Sequence, residues 1–242
     1  MSDALLIVDK LHKSFQGVAA LAGVSIEIPI AEATGIIGPN GSGKTTLFSV
    51  ISGFLKPDRG RIVWRGREVT GWAPHRIAQA GLVRTFQQRM SFPKLTVYQN
   101  VEVAALSAGL RGTKCAEAVR KALAVIRVEE YSNELAEKLP FGINRRLGIA
   151  CALPLNPTLL LLDEPAAGLS DDETVDLAAS LHEIQAMGQG ICLVDHNMEF
   201  VTEFCRKIVV LDSGRKLTEG TPREVMANPM VAQVYLGHAA SG

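Results

Sequence analysis

One Gly-rich segment of the sequence has the residue types and spacing of a phosphate-binding loop. Residues 38–45 read GPNGSGKT and fit the pattern GxxxxGK[ST], between a short apolar strand and an apolar helical run. Glycines let backbone N–H groups approach phosphate oxygens, and the positive end of the following helix attracts the anion. Lys44 is predicted to reach the β- and γ-phosphates, and the Thr45 hydroxyl to bind Mg²⁺. The segment predicts binding of a nucleoside triphosphate without separating transport ATPases, kinases and GTPases. The predicted nucleotide-contacting residues are Gly38, Pro39, Asn40, Gly41, Ser42, Gly43, Lys44, Thr45 and Thr46.

A pair of carboxylates follows a second apolar strand. Leucines at 159–162 precede Asp163 and Glu164, and such a continuous apolar run is typical of a parallel strand covered on both faces. Beside the phosphate loop, Asp163 is predicted to hold Mg²⁺ and Glu164 to polarise the attacking water. An ordinary acidic helix start is the alternative interpretation, because Asp and Glu favour helix N-termini. The phosphate loop upstream favours the metal site.

The elements that must position these residues alternate between strands and helices in the outer thirds of the chain. The first third is rich in strand patterns, and the last third alternates apolar strands with helices. Between about residues 95 and 153 strand patterns nearly vanish, and Val119, Ala122, Leu123 and Ile126 share one helical face. The sequence therefore predicts an α/β fold with a helical middle segment. The predicted elements are strands at 5–10, 24–29, 35–37, 159–162 and 191–194, a hairpin at 208–219, helices at 47–55 and 172–187, and a short helix from Thr221 that ends at Asn228 and Pro229.

Composition excludes several classes of protein. The 25 basic and 25 acidic residues leave a formal net charge of 0 over 242 residues, which gives a poor field for binding nucleic acid. The sequence contains no run of about twenty apolar residues, so no membrane span is predicted. Its N-terminus lacks basic residues before an apolar run, so no secretory signal is predicted. The four cysteines form no CxxC pair and indicate buried thiols in a reducing compartment. We expect one large domain, or one with a small appendage, in a soluble intracellular protein that meets a membrane only through a partner.

The order of five motifs resembles that of the ATP-binding subunits of ABC transporters, over nearly the whole chain. GPNGSGKTT, RTFQ, LPFGINRR, LLLLDEP and VDH follow one another as in that family. The resemblance implies a single ABC ATPase domain over 1–242, with the P-loop NTPase fold. A RecA-like core and an N-terminal antiparallel β subdomain would comprise 1–92 and 156–242, and an inserted α-helical subdomain would comprise 93–155. ATP and Mg²⁺ are the implied ligands.

The same resemblance assigns roles that the residue pattern alone would not. Gln87, with Gln88 as the alternative, matches the glutamine that senses Mg²⁺ and water. His196 matches the switch histidine that contacts the γ-phosphate, and Phe15 matches the aromatic residue that stacks on adenine. The implied catalytic residues are Lys44, Gln87, Glu164 and His196, and the implied metal contacts are Thr45, Gln87 and Asp163.

The segment in the place of the ABC signature LSGGQ departs strongly from it. This signature segment (residues 139–143) reads LPFGI, so only Leu139 and Gly142 match. Pro140 removes a hydroxyl and a backbone N–H donor, and Phe141 replaces a glycine. In the family this segment covers the nucleotide held by the opposite subunit of a head-to-tail dimer. We therefore expect a weaker contact with the γ-phosphate in the partner's site.

The signature and the tail narrow the resemblance to the subgroup that serves branched-chain amino acid uptake. EGTP at 219–222 and NPMVAQVYLG at 228–237 are typical of that tail. The implied partners are a second ATPase subunit, two transmembrane permease subunits and, indirectly, a periplasmic solute-binding protein, with no nucleic acid. The resemblance implies peripheral attachment at the cytoplasmic face of the inner membrane. Residues 90–100 suit a surface that docks on the permease, and core packing explains them equally well.

Several alternatives stay open. Importers of urea, amides or aromatic acids have nearly identical ATPases. A GTPase is disfavoured because no NKxD-type segment is present, and a soluble ABC-type ATPase of DNA repair or translation would need a coiled coil or a second cassette. A non-hydrolytic regulatory subunit is compatible with the altered signature segment, although Lys44, Asp163, Glu164 and His196 argue for a competent site.

Overall fold

The strands of this protein form two β-sheets in a computed structural model that describes residues 4–29, 32–85 and 91–239. In chain order the strands are β1 (Ala4–Phe15), β2 (Val18–Pro29), β3 (Ala33–Ile37), β4 (Arg59–Trp64), β5 (Arg67–Glu68), β6 (Leu82–Arg84), β7 (Leu159–Asp163), β8 (Gly190–Val194), β9 (Lys207–Asp212) and β10 (Arg215–Gly220). One sheet is antiparallel, in the order β2-β1-β4-β5. The other has the order β10-β9-β3-β8-β7-β6 and is parallel except for β10.

Helices connect these strands and fill the middle of the chain. They are α1 (Lys44–Ile51), α2 (Pro74–Gln79), α3 (Val97–Ser107), α4 (Gly112–Ile126), α5 (Phe141–Ala150), α6 (Asp171–Ala186), α7 (Met198–Phe204), α8 (Pro222–Met226) and α9 (Pro229–Ala239). Short 3₁₀ helices lie at Glu129–Tyr131, Ala136–Lys138 and Leu153–Leu155. The helical middle segment and the α/β fold class are thereby confirmed, whereas the subdomain limits at 92 and 156 stay a prediction.

The six-stranded sheet separates two apolar clusters. The inter-sheet cluster lies between the two sheets and includes Leu6, Ile26, Ile36, Leu47, Phe48, Leu159 and Leu161. The helix-side cluster lies on the other face and includes Ile37, Val101, Val119, Leu147, Leu160, Leu162 and Leu181. The leucines of β7 therefore alternate between the two clusters, as side chains on a strand must. All of them are fully buried, which explains the continuous apolar run in the sequence.

One helix limit differs from the sequence-based prediction, and one helix was not predicted. The helix predicted over 47–55 is α1, which ends four residues earlier because Gly53 adopts a left-handed φ of 78° and closes the helix. The short helix predicted from Thr221 is α8, which ends at Met226, before Asn228 and Pro229 as predicted. Pro229 then opens α9, where the Asn228 side chain accepts a hydrogen bond from the Met230 N–H at 3.0 Å.

No helix within the described ranges combines the length and the apolarity that a membrane span requires.

Candidate nucleotide-binding site

Three predicted site segments meet at one edge of the six-stranded sheet. The phosphate loop follows β3, Asp163 and Glu164 end β7, and His196 follows β8. These strands run parallel, with β8 hydrogen-bonded between β3 and β7. Carboxyl ends of parallel strands lie at the same edge, which is where open α/β sheets bind their ligands.

The phosphate loop leaves the N-terminus of α1 without a capping side chain. Gly43 is the N-cap residue, with a left-handed φ of 103°. A Cβ at this position would lie 2.5 Å from the Ala20 carbonyl oxygen, so only glycine fits between β2 and α1. The N–H groups of the first helical turn have no partner inside the helix and are suited to an anion.

Lys44 lies folded back over the loop. Its Nζ donates to the carbonyl oxygens of Gly38 at 2.7 Å and Pro39 at 2.9 Å. Burial lowers the pKa of Lys44, and the negative charges of Glu164 and Asp163 oppose this shift. The ammonium group therefore lies within electrostatic reach of both carboxylates and would gain from an anionic ligand.

The other loop residues line an accessible surface with one buried hydroxyl. Asn40 and Thr45 are exposed, and the Ser42 side chain is buried. The Ser42 hydroxyl has no hydrogen-bond partner among the described residues. An unpaired buried hydroxyl is costly, and a phosphate oxygen would satisfy it. This orphaned group fits a phosphorylated ligand.

Asp163 is held by an arginine that the sequence analysis did not single out. Nη2 of Arg84 lies 2.6 Å from Oδ2 of Asp163, and both side chains are almost fully buried. The other guanidinium end donates to the Ser49 hydroxyl on α1 at 3.0 Å. Arg84 belongs to the RTFQ motif, and its position at the end of β6 was the available signal.

Glu164 and His196 lie next to each other. His196 Nδ1 is 3.8 Å from Glu164 Oε1, and the imidazole is mostly exposed. Glu164 adopts a left-handed backbone with φ of 49°, and its N–H donates to the Val194 carbonyl at 2.7 Å. The pair lies at the same sheet edge as Lys44.

Asp195 is a further residue of the site that the sequence analysis did not identify. Its buried carboxylate accepts three backbone N–H bonds, from Ala166 at 2.8 Å, His196 at 2.8 Å and Asn197 at 3.0 Å. The carboxylate thereby ties the chain after β7 to the chain after β8. Its position immediately before His196, after a buried strand, was the only sequence signal.

The remaining predicted site residues have mixed outcomes. The Phe15 ring is about half exposed, and Lys13 Nζ lies 5.7 Å from its centroid. Phe15 ends β1, and the adjoining β2 contacts Gly43 through Ala20, so its strand pair borders the phosphate loop. Gln87 and Gln88 lie outside the described residues, as does Met90 of the predicted docking segment. The roles assigned to all these residues stay predictions.

The signature segment lies away from the phosphate loop of its own chain. Leu139 packs against the helix-side cluster, and Gly142 near the start of α5 is buried. A Cβ at Gly142 would collide with Oε1 of Glu173 on α6. The exposed Phe141 ring contacts Gly168 after β7. In the described part of the chain, the contacts found for this segment are with the helix-side cluster, Gly168 and Glu173, and none is with residues 38–45.

A mostly apolar cleft of about 240 Å³ opens between the end of β6 and the helical segment. Its lining residues include Phe54, His75, Arg84, Cys151 and Leu155. The Phe54 ring is half exposed. A concave apolar surface with exposed aromatic residues is suited to a protein partner.

The donors in the site fit Mg²⁺ only when a nucleotide is also bound. Thr45 and Asp163 offer oxygen atoms, which Mg²⁺ prefers. The described residues contain no group of three or more His, Cys, Asp or Glu that would hold a metal alone. Mg²⁺ characteristically keeps water and takes phosphate oxygens from a substrate, so this sparse donor set suits a metal that arrives with ATP.

Comparison with known proteins identifies the family. Residues 21–167 match the model of the ABC transporter family, and residues 215–241 match the model described as branched-chain amino acid ATP-binding cassette transporter. The chain is 39% identical over 255 residues to the high-affinity branched-chain amino acid transport ATP-binding protein LivG of Salmonella typhimurium, which covers 99% of this chain and 100% of LivG. It is 37% identical, with the same coverage, to the corresponding protein BraF of Pseudomonas aeruginosa.

Solved structures give the same answer. An ATP-binding cassette of an ABC transporter in its ADP conformation superposes with a TM-score of 0.88 at 29% identity, over 97% of this chain and 99% of that one. The motif order, the fold and these matches agree over nearly the full length. The chain therefore belongs to the ABC transporter family, as one of its ATP-binding cassettes.

Proposed function

We propose that this chain is the ATP-hydrolysing subunit of an importer that takes up branched-chain amino acids. The observation that carries the ATPase part is the meeting of the phosphate loop, Glu164 and His196 at one sheet edge. The solute is supported by the names of the full-length relatives and by the match of residues 215–241 to the branched-chain tail model.

The chemistry follows from the charges at this edge. Lys44 stabilises negative charge on the γ-phosphoryl group, and the α1 N-terminus holds the phosphates through backbone N–H groups. Thr45 and Asp163 would hold Mg²⁺ when it is bound with ATP, and the ion would neutralise part of the phosphate charge. Glu164 orients a water molecule for attack, and His196 donates a hydrogen bond to the γ-phosphate. The short separation of Glu164 and His196 supports this division of roles.

The partner proposal rests on where the signature segment lies. Gly142 lies against Glu173 on α6 and Leu139 packs on the helix-side cluster. Among the described residues neither contacts the phosphate loop of its own chain, so they suit a nucleotide held by a second ATPase subunit in a head-to-tail dimer. The apolar cleft suits the cytoplasmic part of one of two transmembrane permease subunits, with a periplasmic solute-binding protein delivering the amino acid. The chain would then lie peripherally on the cytoplasmic face of the inner membrane.

The nucleotide site is tested with K44A and E164Q by calorimetry and a phosphate-release assay. K44A should bind ATP at least tenfold more weakly, since it loses charge-assisted hydrogen bonds worth about 1.5–3 kcal/mol. E164Q should bind ATP normally. Its rate of hydrolysis should fall by about 100-fold or more, as expected for loss of a general base. The exposed Lys56 gives a matched control, K56A, which should change neither quantity. Wild-type hydrolysis by E164Q would refute the assigned role.

The solute is tested separately by uptake into cells that lack this chain. Restoring the wild-type chain should restore uptake of labelled leucine, isoleucine and valine, and restoring K44A should not. Uptake of urea, acetamide or phenylalanine in place of these solutes would contradict the branched-chain assignment while leaving the ATPase proposal intact.

A further inference from the structure

Arg84 makes a buried ion pair with the carboxylate assigned to magnesium. The 2.6 Å contact between Nη2 and Asp163 Oδ2 uses one oxygen of that carboxylate. Only about 5% of the Arg84 side chain and 4% of the Asp163 side chain are exposed. Among the described residues, no hydrogen bond to the second oxygen, Oδ1, is found. One side of the carboxylate is thus fixed by protein, and the other is left for a ligand.

The guanidinium is itself fixed by α1. Its Nη1 donates to the Ser49 hydroxyl at 3.0 Å and to the Ser52 hydroxyl at 3.4 Å. The group also lies over the Phe48 ring, 5.8 Å from the centroid. On the backbone side, Arg84 pairs with Leu161 of β7, two residues before Asp163. Arg84 therefore connects the helix of the phosphate loop to the strand that carries the carboxylate.

The Arg84 guanidinium does more than neutralise the charge of Asp163. A lysine would supply the same charge through a single nitrogen, whereas arginine donates from two ends in a fixed plane. A buried ion pair gains enough to offset its desolvation only where its geometry is good and further hydrogen bonds hold the charged groups. Here the Ser49 hydroxyl on α1 and the Ser52 hydroxyl just after α1 hold Nη1, and the plane of the guanidinium sets the orientation of the carboxylate.

We propose that Arg84 is a positioning residue for the metal, holding Asp163 by Oδ2 so that Oδ1 is presented to the water shell of magnesium-bound nucleotide. The inference rests on the proposed nucleotide site. Arg84 acts through Asp163 and touches neither the metal nor the phosphates. A pure counter-ion would behave oppositely, because removing its positive charge would strengthen magnesium binding at the carboxylate.

The test compares how much magnesium strengthens nucleotide binding in R84K, R84Q and the wild-type chain. The probe is the non-hydrolysable analogue AMP-PNP, titrated by calorimetry with excess Mg²⁺ and again with EDTA. In EDTA both variants should bind within about twofold of wild type, since the phosphate loop is unchanged. The gain in affinity from Mg²⁺ should fall about tenfold or more in both, as expected when one charge-assisted hydrogen bond no longer orients the carboxylate.

A matched control uses another buried arginine. Arg146 is equally buried and pairs with Asp176 at 3.0 Å, on the helical side of the molecule. R146K removes a guanidinium from another ion pair. It should leave unchanged the gain in AMP-PNP affinity that Mg²⁺ produces. Where R84Q fails to fold by circular dichroism, S49A replaces it, because it removes the nearer of the two hydroxyls that hold the guanidinium and leaves the ion pair. S49A should lower the magnesium gain in the same direction, by less than R84K.

The outcomes separate the inference from the proposed function. A wild-type magnesium gain in R84K, or a larger gain in R84Q, would show that Arg84 supplies only charge and would overturn the inference. Loss of binding in EDTA as well as in Mg²⁺ would also overturn it, because Arg84 would then shape the loop itself. Failure of the wild-type chain to bind AMP-PNP under either condition would instead contradict the nucleotide site.

Discussion

Glu164 adopts a backbone conformation that residues with a side chain rarely occupy. Its φ is 49°, in the left-handed region, immediately after the last residue of β7. The N–H bond to Val194 holds it there. Left-handed φ costs a non-glycine residue about 1–2 kcal/mol, so the carboxylate is kept at this point against a local preference for glycine.

This strain predicts different stabilities for two variants that both lack the carboxylate. The free energy of unfolding of E164G should be about 1 kcal/mol higher than that of E164A, because only glycine adopts positive φ without steric strain. Both should be inactive as ATPases to the same extent. Urea denaturation followed by circular dichroism measures the difference. Equal stability of the two variants would mean that the conformation is not strained.

At the scale of single residues, the sequence predicts contacts within a motif and misses those between motifs. Gly43 and Lys44 follow from the spacing of one segment, and Asp163 and Glu164 from the end of one strand. Arg84 and Asp163 are 79 positions apart in the chain, and nothing in either motif names the other. Asp195 is similarly invisible, because its partners are backbone N–H groups that any residue type would provide.

The junction of α5 and α6 is the element-scale feature that a small change would disturb. Ser170 and Glu173 form a capping box at the start of α6, with Glu173 Oε2 accepting from the Ser170 N–H at 2.9 Å. Gly142 lies directly against the same Glu173 side chain. The absence of a Cβ at Gly142 therefore lets α5 pack against the capped N-terminus of α6.

G142A should break this arrangement, and G148A is its matched control. Both lie on α5, and a Cβ at Gly148 would meet nothing within 4 Å. G142A displaces Glu173 from the capping box and loses about 1 kcal/mol of stability. G148A should gain up to about 1 kcal/mol, since alanine favours a helix interior. Thermal denaturation of both variants checks the order, and G142A proving the more stable would contradict the packing argument.

At the scale of elements, the spacing of apolar residues predicts a strand or helix well where one pattern of burial holds along the whole segment. β7 and β8 were predicted from apolar runs because both faces of each strand are buried. The helical face on α4 was predicted because the four residues that define it, Val119, Ala122, Leu123 and Ile126, all lie in the helix-side cluster. α9 was missed because Asn228-Pro229 is typical of a helix end, and whether proline ends one helix or begins the next depends on the packing beyond it.

The whole molecule is held together by a sheet that serves both apolar clusters. Leu160 faces the helix-side cluster and its neighbour Leu161 faces the inter-sheet cluster, and neither is exposed. Among the residues that the structure describes, the helices α3, α4 and α5 share one apolar cluster with the sheet. Loss of packing on one face of the six-stranded sheet would therefore also destabilise the apolar cluster on its other face.

This shared sheet predicts a single unfolding transition. The two tryptophans, Trp64 and Trp72, report on the inter-sheet cluster, whereas far-UV ellipticity reports mainly on the helices. Fluorescence and ellipticity should give the same urea midpoint. L160A and L161A should each cost about 2–5 kcal/mol and shift both signals together, although they face opposite clusters. A shift of ellipticity alone in L160A would show that the helical segment unfolds independently.

The place of Arg84 has a mechanical consequence for the whole molecule. The same side chain lines the apolar cleft and holds Asp163, so the surface suited to another protein and the carboxylate suited to a metal lie one residue apart. A polypeptide bound in that cleft would contact the residue that holds the carboxylate. Arg84 would then couple the binding of a partner protein to the binding of magnesium-bound nucleotide.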